Sequence, residues 1–418
     1  MKCLFVFPNA PLSPNFSGGA SRCLGSFLAL SSLGVELHVL RLLDGEAAER
    51  VFLHEVDRAV ETDSVRKKAA SWQDVMFSSR TQSPRRMELI RQAAAHPIEL
   101  SFPAVRQLRS SFAEALDRIG PDCLWTEWTL SAAVACAANC EVPWIYSHHD
   151  WIHRIQDVRR QSSTGRYYLS DRIMGSAMKR AEHRIVKRSS LVITGSATEA
   201  RELNWIGRRT PHVIPTTYAR LPAPPASLRA EAKARIVHLG GLNTTANHVG
   251  LTSYLNQVHD LVVTGSGDKV DRPELLIVGD ASRAKKVLLD QLREKGARLV
   301  GSVFDLSSVL RQFDIAVIPY VYDTGTRTKL PLLFNHAQVV VTTRAAVAGS
   351  PEAIDGENCV VLPSLDEFPG ALVDLARDAD RRERLGRAAK ATFDREFTLE
   401  SQLGAFRRAL SCLGTSLS

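Results

Sequence analysis

The sequence predicts an α/β fold built from two doubly wound parallel sheets, and three observations carry that prediction. Short apolar runs rich in Val, Ile and Leu alternate with helix-like segments, with about fifteen residues between runs, the rhythm of parallel strands joined by helical crossovers. The chain has 418 residues, too many for one ordinary core and suited to two domains of about 200 residues each. A Pro/Ala-rich stretch, residues 220–234, separates the runs into two series.

The first series opens with a strand-like run at 3–7 that stops at Pro8. A loop bearing Gly18 and Gly19 follows, then a helical stretch at 21–32 and a second strand at 36–40. Residues 44–121 are polar, helix-prone and less regular, and read as an irregular helical insertion. Strand patterns resume at 122–125, 144–147, 191–194 and 212–215, with a helix at 198–205. The second series has strands at 236–239, 275–278, 297–300, 315–318, 339–342 and 359–362. Helices close the chain near 366–377, 381–392 and 399–411. The expected division is therefore a first domain over 1–218, a linker over 219–234, a second domain over 235–395 and a tail over 396–418.

A hydrophobic content of 44% and a charged content of 23% are globular values. No uncharged apolar run reaches the length of about 18 residues that a spanning helix needs. The apolar run before Pro8 is too short for a secretory signal core, so a cytoplasmic location is expected. The seven cysteines are scattered, with no Cys-x-x-Cys, and read as free thiols in a reducing compartment. Cys136 and Cys140 could share a helix face, but nothing nearby has zinc-like spacing.

The formal charge of +8 is concentrated: between Trp151 and Arg220 there are fourteen Lys/Arg against five Asp/Glu. The centre of that excess runs from Arg172 to Arg188. Ile173, Ala177, Ala181 and Ile185 fall four apart and would line one helical face, with Lys179, Arg180, Arg184, Lys187 and Arg188 on the rest. Such a basic amphipathic surface suits an anionic membrane or an acidic acceptor. Sparse aromatics and the absence of a nucleic-acid motif speak against DNA or RNA.

Candidate site residues gather at predicted strand ends, where open parallel sheets bind their ligands. Residues 314–343 read as strand, glycine-bearing loop, helix and strand. Their loop and helix start carry Thr324, Gly325, Thr326, Arg327 and Lys329. Free backbone N–H groups at a helix start, with two cations, suit a diphosphate; an ordinary solvated loop is the plain alternative. Gly240, Gly241 and Asn247 stand at the exit of the second domain's first strand. Gly18 and Gly19 allow close backbone approach to an acceptor or a phosphate, but they do not make a Gly-x-Gly-x-x-Gly fingerprint. Ser147-His148-His149-Asp150 follows the strand core at 144–146, where a histidine could position substrate or simply be a satisfied loop residue. A metal alternative pairs His149 with His153 and Asp150, but lacks the His-Glu-x-x-His pattern. Asp378 and Asp380 are read as helix-start caps.

Taken in order, the segments 1–40, 236–255, 274–279, 298–305 and 314–343 resemble family-4 glycosyltransferases (glycosyl transferases group 1). That family has the GT-B fold: two Rossmann-like domains facing a cleft, with a C-terminal helix that returns to the first domain. The resemblance implies transfer of a hexose from a nucleotide diphosphate sugar to an acceptor, with retention of configuration. It implies no metal and no cofactor beyond the donor. The donor would meet Gly240, Gly241, Asn247, Gly325, Thr326, Arg327 and Lys329. His149, with His148 as runner-up, matches the histidine near the transferred sugar, and Asp150 would hold its imidazole or an acceptor hydroxyl. The acceptor, whether glycan, lipid-linked or protein, is not named by the resemblance, and the enzyme could work peripherally at the inner face of the membrane. The chain departs from the family where two glutamates eight positions apart are usual: those positions hold Thr324 and Leu332. Glu352 is then the candidate for the donor ribose. The alternative is a catalytically impaired relative serving as a binding partner or subunit of a glycosylation complex.

Overall fold

The computed structural model describes residues 1–9, 17–45, 64–78, 86–162, 169–231, 233–242, 244–267, 272–282, 284–303, 305–322 and 328–414, with backbone alone at 86 and 158–162. The chain divides into two compact units, Met1–Thr217 with Gln402–Ser418, and Tyr218–Ser401.

The first unit contains strands β1 (Lys2–Pro8), β2 (Glu36–Asp44), β3 (Ser71–Phe77), β4 (Cys123–Glu127), β5 (Trp144–His148), β6 (Leu191–Thr194) and β7 (His212–Val213). They form one sheet in the order β3-β2-β1-β4-β5-β6-β7, and every pairing is parallel. The central strands are buried and mostly apolar because helices cover both faces, with polar residues gathered at the carboxyl ends of β4 and β5. Leu4, Val6, Leu40, Leu124, Trp144, Tyr146 and Val192 fill one side. Phe5, Phe7 and Phe27 pack on one another on the other.

β3 corrects the expectation of a wholly helical insertion over 44–121, which also contains the helices Arg86–Ala95, Pro97–Ser101 and Val105–Ile119. As an edge strand it is half exposed, so its sequence carries little apolar signal. Its Asp74 accepts two hydrogen bonds, at 2.9 and 2.8 Å, from the fully buried Arg41 of β2. A buried guanidinium needs such a partner, so β2 and β3 depend on each other.

The basic helix spans Leu169–Arg188. Ala177, Ala181 and Ile185 are buried, while Arg172, Lys179, Arg180, Arg184, Lys187 and Arg188 are exposed, the amphipathic division that the spacing predicts. The C-terminal helix, Leu399–Ser411, joins the first unit from Gln402 onward. Phe406 stacks on Trp125 of β4 at 5.8 Å.

In the second unit, β8 (Arg235–Leu239), β9 (Glu274–Val278), β10 (Arg298–Gly301), β11 (Ile315–Ile318), β12 (Val339–Thr343) and β13 (Val360–Leu362) form a parallel sheet in the order β10-β9-β8-β11-β12-β13. Each predicted strand is present within a residue or two at its ends. Asp378 caps the helix Ala379–Glu396 by accepting from the Arg381 amide at 2.8 Å, which is the cap expected of it. Among the described residues no helix is long and apolar enough to cross a membrane. All seven cysteines are free thiols, five of them buried.

Candidate functional site

In both sheets the strand order reverses beside the first strand of the unit, opening a crevice outside the carboxyl ends there. In the second unit that place lies between β8 and β11. Gly240 follows β8 with φ +133°, and its amide donates to the Val278 carbonyl at 2.7 Å. A Cβ on Gly240 would stand 2.6 Å from both Asn247 Nδ2 and Lys329 Nζ, so only glycine lets those side chains lie on the backbone. Asn247, buried near the start of the helix Thr245–Tyr254, donates from Nδ2 to the Gly241 carbonyl at 2.7 Å. Its Oδ1 accepts from the Tyr320 hydroxyl and from the Lys329 ammonium. Lys329 also donates to the Tyr320 oxygen.

The result is an ammonium held at the first residue of the helix Lys329–Asn335, over glycine backbone at a strand end. His238, two residues before Gly240, adds no competing charge. Burial, then the Lys329 ammonium, hold its imidazole well below the ordinary histidine value. Gly325, Thr326 and Arg327, with Thr324, lie outside the described residues. Leu332 packs against the apolar cluster around Leu330, Leu333 and Phe334 and offers no acceptor there. Glu352 is half-buried in a turn beyond the carboxyl end of β12, and burial raises its carboxyl above the ordinary value.

The first unit builds its crevice from β4, β5 and the helix Gly18–Ser32. Gly18 and Gly19 are not loop residues but the first turn of that helix, capped by Ser17, whose Oγ accepts from the Ala20 amide at 3.1 Å. A Cβ on Gly19 would come within 2.3 Å of the Trp128 ring. Trp128 sits at φ +60°, a conformation rare for so bulky a residue. Its indole stacks on His149 with centroids 4.4 Å apart. His149 Nε2 lies 2.6 Å from Oε2 of Glu127, the fully buried last residue of β4. Glu127 Oε1 accepts from Trp125 Nε1 at 2.8 Å.

Burial lowers the His149 pKa more than its bond to Glu127 raises it, so the ring is neutral at pH 7. Burial alone would raise Glu127, but its bond to His149 and the charge of Arg22 outweigh that, and it stays ionised. An ionised carboxylate only accepts. Nε2 therefore carries the proton and Nδ1 is left as an acceptor.

His148 is different. It has no exposed surface; its Nδ1 lies 3.1 Å from the Tyr146 hydroxyl, and Trp151 packs 4.7 Å away. It is a core residue behind His149. Asp150 is half-buried, and with Glu127 and Glu199 it surrounds the buried Arg22, which donates to the Ile214 carbonyl at 2.9 Å. His149 and His153 turn to separate carboxylates, Glu127 and Glu182, rather than to a common point. Among the described residues no three His, Cys, Asp or Glu side chains converge as a metal site.

Sequence reasoning brought together Gly240, Gly241, Asn247 and Lys329, and separately Gly19 and His149. It missed Glu127, Trp128 and Tyr320. The strand expected at 122–125 stops two residues short of Glu127, and the histidine it pairs with lies 22 residues on. Tyr320 directly follows Pro319 beyond the carboxyl end of β11, the end at which such sheets bind ligands.

Two family patterns match the chain: "Glycosyltransferase Family 4" over residues 18–218 and "Glycosyl transferases group 1" over residues 233–378. Among solved structures, HepE of Anabaena in complex with UDP is similar over 98% of this chain and 100% of its own, with TM-score 0.62 and 15% identity. Sucrose-phosphate synthase of Thermosynechococcus elongatus covers 98% and 99%, with TM-score 0.64 and 13% identity. A TarM mutant of S. aureus, solved with fondaparinux, alpha-GlcNAc-glycerol and UDP, covers 99% and 100%, with TM-score 0.67 and 10% identity. At these identities the likeness is one of fold, and that fold is GT-B. No curated protein matches the chain at a significant level.

Proposed function

The chain belongs to the group-1, family-4 glycosyltransferases, and on that premise we propose that it transfers a hexose from a nucleotide diphosphate sugar to an acceptor with retention of configuration. The observation that carries the donor half of this reading is the ammonium of Lys329, anchored by Asn247 and Tyr320 over Gly240. When the glycosidic bond breaks, negative charge grows on the departing diphosphate. A cation already held in place stabilises that charge without reorganising. Arg327 and the loop amides at Gly325 and Thr326 complete this role, so the charge is met by the protein's own groups and not by a bound metal ion. Glu352 takes the ribose hydroxyls. UDP in the HepE and TarM complexes favours uridine as the base.

His149 serves the sugar. With Nε2 donating to Glu127, its Nδ1 accepts a hydroxyl hydrogen bond and orients the ring being transferred. Trp128 and Gly19 hold the imidazole in one plane, and Asp150 binds an acceptor hydroxyl. The acceptor reaches the first unit at the inner face of a membrane. Supporting this are the exposed cations from Arg172 to Arg188 and Trp205, which is 90% exposed. Indole rings and basic side chains together favour anionic lipid surfaces.

The test is turnover. UDP-hexoses incubated with the chain and candidate acceptors should release UDP and give a product whose anomeric configuration, read by NMR, matches the donor's. An inverted product would contradict retention. Donor binding without UDP release would identify the impaired relative.

A further inference from the structure

The first unit holds another concavity, lined in part by two of the cations placed at the membrane face above, Arg172 and Lys179. A cavity of about 500 Å³ lies between the helices Ile152–Ser162 and Leu169–Arg188. The first helix lines it with His153, Arg154 and Asp157, the second with Arg172, Ser176 and Lys179. The second set is spaced four and three residues apart, so it shares one helical face. Three cations thus stand against one carboxylate. Arg154 is tied to Glu202 at 2.8 Å. Arg172 and Lys179 make no hydrogen bond or ion pair with any described residue.

The pocket is also built from below. Glu182, 1% exposed, accepts the backbone amides of Ile152 at 2.7 Å and His153 at 3.3 Å, and lies 2.5 Å from His153 Nδ1. One buried carboxylate therefore fixes both the start of the first helix and the His153 ring. The pocket adjoins the catalytic side of the unit. His153 lies four residues after His149, and Trp151 packs against both His148, at 4.7 Å, and His153, at 5.4 Å.

Arg172 and Lys179, exposed on one helical face with no ion pair among the described residues, repel each other unless an anion joins them. A planar guanidinium beside an ammonium suits the oxygens of a phosphate. We propose that this pocket binds a phosphate ester carried by the acceptor, gripped by Arg172 and Lys179, with Ser176 donating a hydroxyl. The proposal rests on the reading of the first unit as the acceptor side. It takes the phosphate from either a soluble phosphosugar or a lipid headgroup.

The experiment uses the full chain at low ionic strength. Calorimetry with glycerol 3-phosphate probes the soluble source. Co-sedimentation with phosphatidylcholine vesicles, with and without phosphatidylglycerol, probes the lipid source. The double variant Arg172→Gln/Lys179→Gln is compared with Arg106→Gln/Arg109→Gln, which removes the same charge from exposed positions of the same unit. Wild type and control should bind at least one probe. The pocket variant should bind it about tenfold or more weakly, with an unfolding midpoint at least as high as wild type and unchanged UDP-sugar binding. Binding of glycerol 3-phosphate assigns the soluble source, and binding confined to anionic vesicles assigns the lipid one. Equal binding by the two double variants, or no binding of either probe by wild type, overturns the proposal. Loss of UDP-sugar binding by wild type would instead count against the glycosyltransferase reading.

Discussion

At the residue scale, two contacts decide the account. The first is Gly240 beneath Lys329. Gly240→Ala would force a Cβ into the positions of Asn247 Nδ2 and Lys329 Nζ, at a φ of +133° that alanine rarely adopts. Strain of that kind costs about 1–3 kcal/mol. The variant should unfold at lower denaturant and bind UDP-sugar more weakly, because the ammonium must move; unchanged affinity would detach Gly240 from the site. The second contact is Glu127 with His149. Glu127→Gln keeps the shape and removes the charge, so kcat should fall by about 10²-fold with the donor KM little changed. The sign of the pH effect follows from the pair. His149 acts neutral, and the Glu127 charge partly offsets the effect of burial on it. Removing that charge lowers the His149 pKa further, so the acid limb of kcat/KM should move to lower pH. Gly240, Gly241, Asn247 and Lys329 were readable because each sits at a fixed offset from a strand end. Glu127 was not, because its partner is 22 residues away and appears only when β4 and β5 pair.

At the element scale, the helix Lys329–Asn335 carries the site cation at one end and is capped at the other by His336. Burial drives the His336 pKa from 6.5 to about 4. Its folded value is depressed, so the unfolded chain binds the proton more tightly. The stability this neutral ring contributes is present above pH 6.5 and is lost as pH falls toward 4. The loss is on the order of 3 kcal/mol. His336→Gln should flatten that part of the stability–pH curve; a variant curve parallel to wild type would show that the ring is not buried neutral. Asp378→Ala should cost about 1 kcal/mol through the lost cap of the helix Ala379–Glu396. Most strands were readable because buried parallel strands are apolar on both faces, as Ile315–Ile318 is. β3 was not, because an edge strand that supplies Asp74 to Arg41 has to be polar.

At the scale of the whole molecule, the chain's end belongs to the first unit. Phe406 is 3% exposed against Trp125, and Phe406→Ala should cost that unit about 3–5 kcal/mol. All six tryptophans lie within residues 1–217, so indole fluorescence follows the first unit alone. The variant should shift the fluorescence transition while the second unit's melting by calorimetry holds; a fluorescence transition that did not move would place the tail elsewhere. The succession of parallel strands along the chain, β3 aside, was visible in the alternation of runs. The pocket beside Arg172 was visible only as an excess of charge, because its depth depends on how two helices pack.

The most direct test of the central claim is calorimetric titration of wild type and Lys329→Ala with UDP and UDP-hexoses, without added metal. Wild type should bind one UDP-sugar selectively, and Lys329→Ala should bind it at least tenfold more weakly through loss of a charged contact worth about 1.5–3 kcal/mol. Equal affinity in the two proteins, or no nucleotide-sugar binding by wild type, would contradict it.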